Sequence, residues 1–138
     1  MVNSELVKRK IAYIDECIKK INKYSNYTYQ QFAQDDIVQD VVEYNLFQAI
    51  NLMIDIAQHV VTDGDLGKPE KLSDGFEILF AKKYITERQL FTYKNMVGFR
   101  NIIAHQYTSL DKKIVYTAMN EKVKDIKEFV SFVLEDII

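Results

Sequence analysis

Arg100, Asn101, His105 and Tyr107 fall within eight consecutive residues, in the stretch Gly98-Phe99-Arg100-Asn101-Ile102-Ile103-Ala104-His105-Gln106-Tyr107. Arginine carries a planar, permanent charge whose N–H fork suits phosphate oxygens. Histidine gives and takes protons near neutral pH. Together they suit cleavage of an RNA phosphodiester. There the 2′-hydroxyl is an internal nucleophile, so the chemistry needs neither a metal nor an activated water. A base must take the hydroxyl proton and an acid must protonate the leaving oxygen. Arg100 would stabilise the charge on the phosphorane. The chain has one other histidine, His59, and only His105 sits beside an arginine in this way.

The spacing constrains how these groups can meet. At about 100° per residue, Arg100 and Tyr107 lie about 20° apart on a helix, whereas His105 lies about 140° from Arg100. Arg100 and His105 of one chain therefore cannot converge on one ligand while the helix stays regular. Either the helix ends or distorts near His105, or two copies bring the groups together across an interface. Gly98 favours the second option. Glycine inside a helix costs about 1 kcal/mol relative to alanine, and close approach of another backbone is a common reason for it. A symmetric dimer would also supply two copies of His105, one for each proton transfer. The competing structural account has His105 placed by the helix dipole, Arg100 in a surface ion pair and Tyr107 packed on the bundle.

Composition limits the alternatives. The 138 residues, with 48% apolar and 28% charged, suffice for a single domain over residues 1–138 with its own core. One proline and four glycines favour long helices over a turn-rich sheet. The formal charge of −2 argues against a general electrostatic grip on nucleic acid, leaving only a local patch. Cys17 is the single cysteine, so no intrachain disulfide can form. That fits a reducing, cytoplasmic setting, and Cys17 reads as a small buried hydrophobe rather than a reactive thiol. The N-terminus does not resemble a signal peptide. The apolar region from Val41 to Val61 is interrupted by Glu43, Asn45, Gln48, Asn51, Asp55 and Gln58, which excludes a membrane span.

The elements that must position the motif are helices. Ser4 is the expected cap of a first helix reaching about Lys23, with Val7, Ile11, Ile14, Ile18 and Ile21 as its seam. The tyrosine-rich stretch 24–29 reads as a loop packed over the bundle's end, with base stacking as the alternative. Asp35 or Asp36 should cap a long second helix to about Thr62. It carries two stripes, one through Val42, Leu46, Ala49, Met53 and Val60, the other through Ile37, Val41, Ile50, Ile54, Ala57 and Val61. His59, on this helix, reads as an ordinary helix histidine. A long loop covers 62–75, followed by a short helix with Phe76, Leu79, Phe80 and Tyr84 inward. Thr86 and Gln89 form a capping box for a helix to about His105, with Leu90, Tyr93, Val97 and Ile102 inward. A turn at 111–116 and a last helix capped by Asn120 complete an all-α, antiparallel bundle of four to five helices.

The run Arg100-Asn101, His105-Gln106-Tyr107, late in the fourth predicted helix of such a bundle, resembles the R-x4-H-x-Y signature of the HEPN superfamily, in its HepT-like toxin branch. The resemblance implies a homodimer whose two motifs line one cleft and a metal-independent ribonuclease without a cofactor. It also implies a toxin paired with a minimal nucleotidyltransferase (MNT) antitoxin. It implies catalytic roles for Arg100 and His105 and a usual polar residue at Asn101, which would orient phosphate or His105. Tyr107 would position RNA or accept AMP from the antitoxin. Acidic residues on the second helix assist in some members, and Asp55 and Glu43 are the candidates. The alternative function is a non-catalytic helical dimer that binds a nucleotide or a partner nucleotidyltransferase.

Overall fold

Helix α1 (Ser4–Asn22) begins where the Asn3 carboxamide oxygen accepts a hydrogen bond from the Leu6 amide at 3.2 Å. The cap is thus Asn3 rather than the expected Ser4. Its seam of Val7, Ile11, Ile14, Ile18 and Ile21 is buried as the three-and-four spacing requires. The computed structural model describes residues 2–106 and 110–138. Cys17 is half-buried against the core, and burial pushes its thiol up, which disfavours the reactive thiolate.

The tyrosine-rich stretch departs from the expected loop at its end. Thr28 and Gln31 form a reciprocal capping box that opens a one-turn helix, α2 (Tyr29–Ala33). Its tyrosines pack rather than stand free. Tyr116 donates its hydroxyl to the Tyr27 carbonyl at 2.7 Å and meets Tyr29 and Phe32 ring to ring.

Helix α3 (Asp36–Asp63), capped by Asp35, is the axis of the bundle and touches all five other helices. Its first stripe is buried throughout. The second is buried from Ile50 onward, but Ile37 is 72% exposed and Val41 only half-buried. α4 (Asp74–Ala81) presses closely on α3. A Cβ at Gly75 would lie 3.0 Å from the backbone carbon and Cβ of Ala57, so this glycine allows the contact. Phe76 and Leu79 are buried, while Phe80 and Tyr84, expected inward, are exposed.

The Thr86–Gln89 box forms as the sequence predicts and opens α5 (Glu87–Gln106). α6 (Lys112–Phe132) overturns the expected turn at 111–116. The Asp111 carboxylate accepts from the Lys113 amide at 2.9 Å and starts the helix there. Val115, Ala118 and Met119 extend the buried face upstream of Asn120. Asn120 is no cap; its amide donates to the Tyr116 carbonyl one turn back. A π-helical turn, Val133–Ile137, ends the chain's last element. The all-α bundle stands, with six α-helices among the described residues because α2 is helical.

Candidate functional site

α5 holds the motif as a continuous α-helix through Gln106. The helix therefore neither ends nor distorts between Arg100 and His105, and the two side chains leave it on different faces. Tyr93, Met96, Val97, Phe99 and Ile103 are its buried residues. Phe91, Asn95, Gly98, Ile102 and His105 recur by steps of four and three along the opposite side, and all five are exposed. Ile102, expected inward, is thus on the outer face.

Arg100 is half-buried and turned toward α3. Its Nε donates to Asn51 Oδ1 at 2.8 Å, and its Nη1 donates to Asn101 Oδ1 at 3.0 Å. The guanidinium carbon lies 5.3 Å from the centre of the Phe47 ring, within reach of a cation–π contact. Asn51 and Phe47 are one turn apart on α3 and face the same way. Arg100 takes part in no ion pair among the described residues. The surface account of Arg100 as a salt-bridge partner is therefore replaced by a fixed, charged fork.

The two acidic candidates extend the same row of α3. Glu43 stands one turn before Phe47 and Asp55 one turn after Asn51. Glu43 lines a shallow cleft of about 370 Å³ with Asp40, Tyr44, Phe47, Ile103 and Ala104. Burial, reinforced by the charge of Asp40, raises its carboxyl above the usual glutamate range. Asp55 is held by Lys10 from α1 in an ion pair. Its other oxygen lies 4.0 Å from His59 Nε2, while His59 Nδ1 lies 3.8 Å from Asp63. His59 is thus a helix-surface histidine between two carboxylates, as its sequence context suggests.

A family model described as "Ribonuclease HepT-like" matches residues 14–133. The mRNA nuclease HepT of Shewanella oneidensis is 34% identical over 131 residues, covering 94% of this chain and 97% of that protein. The chain belongs to the HepT-like ribonuclease family. A solved tri-AMPylated HEPN toxin from Shewanella oneidensis, in complex with an MNT antitoxin, superposes with a TM-score of 0.86 at 33% identity. It covers 99% of this chain and all of that one. A toxin–antitoxin structure with AMP-PNP gives a TM-score of 0.83 at 34% identity, over 96% of this chain and 99% of the other.

In this HepT-like chain the structure brings together Arg100, Asn101 and α3, and separates His105 from them. Tyr107 lies outside the described residues. Asn51 and Phe47 are site residues that the sequence did not single out. Asn51 stood only among the polar interruptions of an apolar helix, which was the one available signal. No helix among the described residues is long and apolar enough to cross a membrane.

Proposed function

We propose that this HepT-like ribonuclease is the toxin of a HEPN/MNT pair, a single domain over residues 1–138 that acts as a cytoplasmic homodimer. It cleaves RNA without a metal, in a cleft shared by two copies of the chain. The carrying observation is the divergence of Arg100 and His105 on an unbroken α5. A second copy is the economical way for both groups to reach one phosphate. The exposed stripe of Phe91, Asn95, Gly98, Ile102 and His105 supplies a face for that copy. An added Cβ at Gly98 would meet nothing within 4 Å in its own chain, so the space above it is open to another helix.

In the assembled cleft Arg100 binds the scissile phosphate and stabilises its developing charge. One His105 takes the 2′-hydroxyl proton and the other protonates the leaving 5′-oxygen. Asn101 orients Arg100, and Glu43 and Asp55 border the site as supporting acids. Tyr107 positions the RNA or accepts AMP. The tri-AMPylated relative and its MNT antitoxin support a nucleotidyltransferase as the partner of this chain too.

The test is cleavage of single-stranded RNA by the purified protein, with and without EDTA, beside Arg100→Ala and His105→Ala. Activity that survives chelator and is lost in both variants, with helicity and oligomeric state unchanged, is the expected result. Full activity in either variant, or in a strictly monomeric protein, overturns the proposal. Nucleotide-dependent stabilisation with no cleavage would instead identify a non-catalytic binding dimer.

A further inference from the structure

Resting on the ribonuclease reading above, we propose that Asn51 is the positioning residue of the site. It locks Arg100 by its Nε while leaving the positive charge uncompensated, so that phosphate is received on Nη2.

Donor counting carries the first half. A guanidinium has five N–H groups. Asn51 takes the one on Nε and Asn101 takes one on Nη1. Among the described residues no acceptor meets Nη2, so both its hydrogens and one on Nη1 remain for a ligand. The Phe47 ring supports one face of the fork at 5.3 Å. Three contacts from two helices thus fix the plane of the group and leave its far edge open.

The chemistry of the partners carries the second half. Both acceptors are carboxamide oxygens, and the third contact is a ring face. None bears a charge. A carboxylate at either amide position would hold the arginine at least as well, because charge-assisted hydrogen bonds are the stronger kind. It would also neutralise the group that has to attract phosphate. The neighbouring carboxylate on this face of α3, Asp55, is engaged by Lys10 instead. The arrangement therefore preserves charge while restricting motion. The two demands are separable by substitution, because asparagine and aspartate have nearly the same shape.

The experiment compares wild type, Asn51→Asp and Asn51→Ala on two readouts. One is kcat and KM for RNA cleavage. The other is binding of a 2′-O-methyl RNA strand, which lacks the nucleophile, across a salt series. Asn51→Asp is expected to bind roughly tenfold more weakly than wild type and more weakly than Asn51→Ala. Its dependence of log affinity on log salt should flatten by about 0.7, the loss of one phosphate contact on a single strand. A purely structural role predicts the reverse order, since aspartate keeps the hydrogen bond and alanine deletes it. Wild-type binding by Asn51→Asp, or weaker binding by Asn51→Ala than by Asn51→Asp, overturns the proposal. Asn101→Asp repeats the comparison at the second amide and decides the matter if the Asn51 variants lose their cooperative thermal transition. Should wild type cleave no RNA, the ribonuclease reading falls, and the binding series still decides the role of Asn51.

Discussion

Arg100 Nε and Asn51 Oδ1 meet at 2.8 Å across 49 residues of chain, joining α5 to α3 at the motif itself. The bond fixes a planar donor fork rather than a mere positive charge. Lysine in its place would keep the charge on a flexible stem and lose both carboxamide contacts and the stacking on Phe47. Arg100→Lys should therefore lower kcat for RNA cleavage by about 10²-fold, close to removal of one transition-state donor. Thermal stability should change by less than about 1 kcal/mol, because the site is half-exposed. Comparing kcat, KM and the melting curve of this variant with wild type checks the point.

Two glycines on helices make opposite predictions. At Gly75 an added Cβ would sit 3.0 Å from the Ala57 backbone, where neither helix can yield cheaply. Gly75→Ala should destabilise the fold by about 1–3 kcal/mol. At Gly98 the added Cβ meets nothing within 4 Å, so the isolated chain should gain up to about 1 kcal/mol of helix stability. If a second copy packs there, the same methyl group should weaken self-association and cleavage. Melting curves and sedimentation of the two variants separate these effects. A Gly98→Ala protein that dimerises and cleaves as well as wild type would remove Gly98 from the interface.

Charge on Glu43 gives a pH signature. Burial and Asp40 raise its carboxyl in the folded chain, so folding favours the protonated form. The folded state then binds more protons than the unfolded one, and this contribution fades as pH rises through the raised value. Glu43→Gln should consequently stabilise the protein at neutral pH, by less than about 1 kcal/mol given its solvent contact. The difference should vanish in acid, below the ordinary glutamate range. Asp74 has the opposite sign. Hydrogen bonds from the Lys71 and Glu70 amides lower its carboxyl, so its stabilisation is present above the ordinary aspartate range and lost in acid. Thermal melts of Glu43→Gln and Asp74→Asn from pH 3 to 8 should therefore diverge from wild type in opposite directions above pH 5.

The helices themselves were legible because apolar residues at three-and-four spacing leave few other ways to bury a core. The buried seam of α1 and the Thr86–Gln89 capping box followed directly. Two local readings failed where short polar residues competed. Asn120 resembled a cap, but Asp111 lay nearer the true start of buried periodicity at Val115. Thr28 and Gln31 were hidden among tyrosines that read as loop. The inward assignments of Ile37 and Ile102 failed for a different reason. Apolar character shows that a residue seeks cover, not whether its own chain provides it. The motif was legible as residue types and spacing. The Asn51 contact was not, because nothing local marks which polar interruption of α3 will face α5.

Phe91 is 67% exposed and Ile102 39% exposed, about three turns apart on the stripe that ends at His105. Apolar groups so placed on a seam of alternating four and three steps are the sign of a helix that packs on another. Glutamate at Phe91 adds no clash in the isolated chain, since the side chain already stands in water. Its effect on folding should be within about 0.5 kcal/mol. Across an interface between two copies, however, the two glutamates would carry uncompensated charge into an apolar contact. Phe91→Glu should then convert the protein to a monomer by sedimentation and remove RNA cleavage, although Arg100 and His105 are untouched. Cleavage that persists in a monomeric Phe91→Glu protein would show that one chain suffices, and would overturn the shared cleft. Dimers that survive the substitution would place the contact elsewhere than on this stripe.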